Sequence, residues 1–256
     1  MMPTGSRTSR PARVVGHHPA EMELAEVTRA RRSRSLVVLE GFHAVKHAVR
    51  FGAELLGAWT ADPQELRELT ERLAPDVRIP AQVVSADALR AVVPRAQLVA
   101  VARRPAQADP AAVLAGPGHV VLLEDPRHLG NLGAVVRVAA AAGAAGVMTT
   151  GRHHPWHPDA LRGSAGLHFA IPVHHLRAVR SGERQLVALD PDGAAFAPAE
   201  LPAAAVLAFG AERTGVSDEL LARADRRVAL PMAPGVSSLN LATAVAATLY
   251  ALRFAR

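Results

Sequence analysis

From Leu36 onward the chain alternates short β-prone apolar runs with helical segments. The order is strand LVVLE, helix FHAVKHAVRF, strand LLGAWT, helix PQELRELTERL, strand AQVV, helix ADALRAVV and strand LVAVA. This predicts a small α/β unit over residues 35–104, followed by the Pro- and Gly-rich stretch RRPAQADPAAVLAGPG, whose composition suits a linker over 105–118. A second unit, 119–256, has strands expected near 120–123, 146–149, 185–189, 204–209 and 227–230, and helices near 131–142, 158–164, 217–224 and 238–254. Strands separated by helices predict a mostly parallel sheet covered on both faces. Residues 1–34 form a basic extension: the first twenty mix Pro, Gly, Ser, Arg and His without period and read as disordered, and Glu21 to Ser33 reads as a short helix with a solvated charged face.

Composition narrows the class. With 29 Lys and Arg against 23 Asp and Glu the formal charge is +6, and every basic residue except Lys46 is Arg. Guanidinium grips phosphate with paired donors, so the balance is compatible with nucleic acid, although an Ala, Arg and Pro bias also follows from GC-rich coding. The absence of cysteine excludes disulfides, thiolate metal sites and a cysteine nucleophile. No apolar run has the length and flanks of a membrane span, and Met1 to Arg34 has no signal-peptide core, so a cytoplasmic protein is expected.

Three strand ends carry polar residues: VVLLEDPRHLGNLGAVVRVAAAAG, AAVLAFGAERTGVS and RVALPMAPGVSSLN. In open α/β sheets ligands lie outside the carboxyl ends of the strands, so the three predict one shared pocket. Arg137 sits within an otherwise apolar helical run, where it needs either an ion partner, such as Glu124 or Asp125, or a cavity to face. Asn131 has the place of a helix N-cap, which leaves ligand contact open. Gly130 and Gly133 give only half a dinucleotide fingerprint, because His128 replaces the earlier glycine and the next strand ends Met148, Thr149, Thr150 without an acid. Glycines 210 and 215 flank the lone Glu212, Ser217 before DEL reads as a cap, and Ser237, Ser238, Leu239 and Asn240 open the apolar C-terminal helix. The cluster His153, His154, His157 lies among prolines without an acidic partner, which disfavours a metal site.

Taken together, NLGAVVRVAAAAG, LRGSAG, FGAERTGVS and LPMAPGVSSLNLATAVAATLYALR resemble the signature motifs of the SpoU/TrmH family of SPOUT methyltransferases, over roughly His119 to Arg256. The resemblance implies a deep trefoil knot, S-adenosylmethionine as cofactor, a homodimer, and methyl transfer to a ribose 2′-hydroxyl of tRNA or rRNA. It assigns catalytic roles to Arg137, Asn131, Glu212, Ser238 and Asn240. Cofactor contacts would fall to Thr150, Gly210, Leu230, Met232, Ser238 and Leu239, and RNA contacts to Arg137, Arg162 and Ser164. No metal is implied. EGFHAVKHAV and LVAVARRP resemble the ribosomal-protein-like RNA-binding domain often appended to this family. Arg213 stands where the family often has Gly, and Thr243 where another small residue is usual. A catalytically silent RNA-binding or ribosome-associated protein of the same fold is the alternative.

Overall fold

The computed structural model describes residues 22–255, so the basic tract over 1–20 lies outside the described residues. After a short helix α1 (Val27–Ala30), the first sheet holds β1 (Leu36–Glu40), β2 (Leu55–Thr60), β3 (Gln82–Val83) and β4 (Leu98–Arg103) in the order β1-β4-β2-β3. Helices α2 (Phe42–Arg50), α3 (Pro63–Leu73) and α4 (Ala86–Val92) connect them. Strand β4 pairs antiparallel with both β1 and β2. The segment read as a solvated helix is instead anchored: Val27 and Ala30 are buried against Trp59, Leu89 and Val99.

The stretch expected as a plain linker contains a helix, α5 (Pro110–Ala115). Asp109 accepts from the Ala111 amide at 3.0 Å and Pro110 supplies a preset first turn. At its far end the buried Arg184 guanidinium donates to the carbonyls of Val113, Leu114, Gly116 and Gly118, satisfying acceptors that a helix end leaves open.

The second sheet comprises β5 (Val120–Leu123), β6 (Gly146–Thr149), β7 (Val173–His175), β8 (Gln185–Ala195), β9 (Ala205–Phe209) and β10 (Arg226–Ala229). Its order is β10-β8-β9-β5-β6-β7 and every pairing is parallel. β5, β6 and β9 are buried along their whole length, as continuous apolar strands covered on both faces must be. The sequence pattern did not predict β7, and β8 continues past its expected end because pairing with β10 resumes at Ala194 beyond a bulge.

Helices α6 (Leu129–Ala142), α7 (Pro158–Gly163), α8 (Asp218–Arg223) and α9 (Leu241–Phe254) complete the unit. α6 begins before Asn131 and α9 begins only after Asn240, so Ser238 and Leu239 belong to the preceding loop. Leu132, Val135, Val136 and Ala139 of α6 share one core with Val245, Leu249 and Leu252 of α9. α7 reaches α6 through glycine, since a Cβ on Gly133 would overlap the Ala160 carbonyl and lie 2.8 Å from the Gly163 Cα. Helix α2 docks onto the loop after α7, where His47 Nδ1 donates to the Ala165 carbonyl at 2.8 Å.

Gly133→Ala should therefore lower stability by about 1–3 kcal/mol, the usual cost of overpacking a tight contact. Chemical denaturation measures it, and an unchanged midpoint would show that α7 has room to shift.

Candidate active site

In a parallel sheet all strand ends of one kind lie on one side, so the loops after β5, β6, β9 and β10 share an edge. Three of them are joined by one chain of hydrogen bonds. Glu212, in the loop after β9, accepts from the Arg127 amide at 2.8 Å, the His128 amide at 3.2 Å and Asn131 Nδ2 at 2.9 Å. Asn131 Oδ1 in turn accepts from Asn240 Nδ2 at 3.0 Å, and Asn240 Oδ1 takes the Ala242 and Thr243 amides at 2.9 and 3.4 Å. The amide orientations are mutually dictated. Asn240 must turn its oxygen to two backbone donors, so its nitrogen faces Asn131, whose own nitrogen then meets a carboxylate.

Asn131 is thus not the helix cap that its place in the sequence predicts. α6 starts with His128 as N-cap, which makes no side-chain capping bond, and the Glu212 carboxylate takes amides at this helix start. A negative charge there also suits the helix dipole. Partial burial works against the charged form of Glu212, but the bonds from Asn131 and from the Arg127 and His128 amides outweigh it and hold its pKa below the ordinary value.

Glu212 reaches this position because its loop folds back tightly. Ala211 and Gly215 bond each other's backbones at 3.1 and 2.9 Å, Gly215 has φ +68°, and a Cβ on Gly210 would overlap the backbone of Gly215 and Val216. Ser217 caps α8 by accepting from the Leu220 amide at 3.2 Å, and its hydroxyl donates to Glu124 at 2.7 Å. Thr150, buried after β6, accepts from the Asp125 amide at 3.3 Å, which ties a fourth strand end to the first.

The loop after β10 runs from Leu230 through Met232 to Ser238 and Leu239, the last 43% exposed despite its apolar side chain. The backbone amides of Gly210, Leu230 and Leu239 donate no hydrogen bond among the described residues. Unused donors beside exposed apolar side chains, next to a polar cluster, fit a nucleoside-bearing ligand.

Arg137 is exposed on α6 and makes no hydrogen bond or ion pair among the described residues. Of the two readings open for Arg137, the ion pair with Glu124 or Asp125 does not form among the described residues: Glu124 holds Ser217, and Asp125 pairs with Arg127 at 2.8 Å and accepts from the Arg152 amide at 3.3 Å. Arg162 is exposed, bonded to Asp159 at 2.9 Å, and lies with Asn131 along a cleft of about 810 Å³. That cleft also takes in Arg127 and His128, which the sequence reading passed over although two basic residues just before a helix are a legible anion signal. Ser164 corrects the expectation of RNA contact. It is fully buried, donates to the Leu161 carbonyl at 3.0 Å, and lies 2.7 Å from Nδ1 of His168, whose pKa burial pushes down to about 3. Arg213 is exposed. Among the described residues no three His, Cys, Asp or Glu side chains gather as metal ligands.

Known proteins share this architecture. The family model for the SpoU rRNA Methylase family matches residues 118–250. An uncharacterised tRNA/rRNA methyltransferase of Mycobacterium bovis is 32% identical over 85% of this chain and 80% of its own length. A 23S rRNA (adenosine(1067)-2′-O)-methyltransferase of Streptomyces laurentii is 28% identical over 91% of both chains. The crystal structure of the SpoU methyltransferase AviRb from Streptomyces viridochromogenes with AdoMet superposes with a TM-score of 0.73 at 24% identity, covering 90% of this chain and 96% of that one. With its parallel sheet, its joined strand ends and a family model that spans half its length, the chain belongs to the SpoU rRNA methylase family.

Proposed function

We propose that this protein transfers a methyl group from S-adenosylmethionine to a ribose 2′-hydroxyl of RNA. The observation that carries it is the Glu212–Asn131–Asn240 chain, which draws three strand ends together beside unused backbone donors. The relatives are named as rRNA 2′-O- and tRNA/rRNA methyltransferases, which supports the substrate class. Thr150, Gly210, Leu230, Met232, Ser238 and Leu239 are the residues proposed to hold the cofactor: amides for its polar edges and Leu230 and Leu239 as apolar walls. When bound, the cofactor supplies an electrophilic sulfonium methyl group. The knot of the family is proposed for the segments around Gly210 and Leu230 to Asn240.

The remaining work is alignment of the hydroxyl and loss of its proton, and positioning of this kind supplies a large share of a rate. Arg137 is assigned to the 2′-oxygen. A guanidinium stays protonated, so its role is to stabilise the developing alkoxide rather than to accept the proton. Arg137 lies six residues beyond Asn131 on α6, about 120° around the helix, and so faces away from the Asn131 cluster of its own chain. This supports a homodimer in which each subunit lends Arg137 to the other's site. Arg162 is proposed as an RNA contact, residues 35–104 as an RNA-binding domain and 119–256 as the catalytic domain. The cytoplasm is the proposed location, and no described helix is long and apolar enough to cross a membrane.

Incubation with labelled cofactor and separated tRNA and rRNA, followed by nucleoside mass spectrometry, should find 2′-O-methylribose; a methyl on a base would overturn the assignment. A calorimetric cofactor titration separates this enzyme from a silent RNA-binding relative, which would give no heat. Arg137→Ala should lower transfer by roughly 10²–10³-fold while cofactor affinity stays unchanged, and retained activity would refute its role. Glu212→Gln places an NH₂ against backbone donors and should cost about 1–2 kcal/mol of stability at neutral pH. Because the folded-state pKa of Glu212 is depressed, the wild-type advantage holds above the ordinary value of about 4.3 and fades as pH falls through the lower folded-state value. Urea titrations across pH 3 to 7 measure it, and a difference that persists undiminished at the acid end would contradict the charge-based account.

A further inference from the structure

Helix α2 packs, like α6, on the turn at Leu167–Phe169, and it carries a lysine that nothing in the site has yet used. Lys46, the chain's single lysine, is only 8% exposed. Its ammonium makes no hydrogen bond or ion pair among the described residues, and it lies over the Phe42 ring, 5.6 Å from the centroid. The facing acid, Asp76, is held by Arg50 through bonds of 2.7 and 2.5 Å. The other charged groups that act on Lys46 are the Arg50 and Arg137 guanidinium groups, and His43 is acted on by Lys46 and Arg137. Burial first, then Arg50 and Arg137, hold the Lys46 pKa below the ordinary lysine value, while Asp76 opposes them. The same forces act on His43, where partial burial, Lys46 and Arg137 lower the pKa and favour the neutral ring.

An ammonium without an acceptor, at the tip of a mostly covered side chain, is made less favourable by the positive charge of Arg50 and Arg137. It is also not sealed. Among the described residues the buried side-chain nitrogen or oxygen lacking a partner is His174 Nε2, so the unbonded Lys46 Nζ keeps a window to solvent. An incoming anion would relieve the repulsion. Covalent chemistry says which one: in RNA the 2′-oxygen and the 3′-phosphate sit on adjacent ribose carbons, so any guanidinium that meets the 2′-hydroxyl has a phosphodiester beside it.

We propose that Lys46, with His43 of the same helix as a second donor, binds the RNA phosphodiester next to the ribose addressed by Arg137. The inference rests on the function proposed above. It is independent of which subunit's site Arg137 completes, because Lys46 and Arg137 travel on the same chain. Lys46 is a phosphate-positioning residue: it fixes the strand, and the nucleotide is read elsewhere.

The test uses purified ribosomal RNA as the probe, with full-length wild type, Lys46→Met and Lys46→Arg. In filter binding, Lys46→Met should weaken RNA affinity about tenfold, as loss of one charge-assisted bond does, and lower the slope of log affinity against log salt by about 1. Cofactor affinity should stay unchanged, and the melting temperature should hold or rise, because a charge without an ion partner is replaced by an apolar chain of similar length. Lys46→Arg should keep RNA affinity within about twofold, since a guanidinium also binds phosphate. Unchanged RNA affinity and salt slope in Lys46→Met would overturn the inference, as would equal losses in both variants or a lowered melting temperature with RNA binding intact. A wild-type protein that binds the RNA but leaves no 2′-O-methylribose would instead overturn the proposed function and leave the Lys46 result standing on the binding data.

Discussion

Asn131 stands between a carboxylate and a second asparagine, and the rest of the site depends on it. Its nitrogen is committed to Glu212 and its oxygen to Asn240. Neither loop is an element of regular structure. One turns back on itself at Gly210 to Gly215, and the other runs exposed from Ala233 to Asn240. Only a side chain that both donates and accepts can hold a carboxylate on one side and an amide nitrogen on the other, which is why an asparagine suits the position and a carboxylate or an alkyl chain does not.

The scaffold makes that junction possible. Parallel pairing of β5, β6, β9 and β10 with their neighbours puts the decorated ends on one edge, and the buried apolar strands behind them keep that edge rigid. α6 then serves twice. Its start offers amides to Glu212, and its later turns carry Arg137 out to solvent. The bond from His47 to the Ala165 carbonyl docks α2 on the loop after α7.

Much of this was legible in the sequence. Strands such as VVLL and AVLAF announce themselves as continuous apolar runs ended by acid, glycine or proline, and the polar residues after them are the ones that meet. What was not legible depends on partners far along the chain. β7 is three residues long, two of them histidine, and exists because Val147, Met148 and Thr149 pair with it. α5 lies in a Pro- and Gly-rich stretch and is finished by Arg184, from the far side of the sheet. Ser164 looks like a loop hydroxyl free for RNA, but His168, four residues on, draws it inside. The same logic decides between the two readings of Arg137, an ion partner or a cavity to face. Both candidate acids are engaged by other groups, Glu124 by Ser217 and Asp125 by Arg127 and Arg152.

The central claim is that one hydrogen-bonded chain couples separate loops into a single cofactor site. A double-mutant cycle on Asn131→Ala and Asn240→Ala, read as cofactor affinity by calorimetry, tests it most directly. Coupled loops predict that the double variant loses clearly less than the sum of the singles, with an interaction energy of about 0.5–3 kcal/mol. Additive losses would mean that each loop holds its own shape, and that the junction at Asn131 does not organise the site.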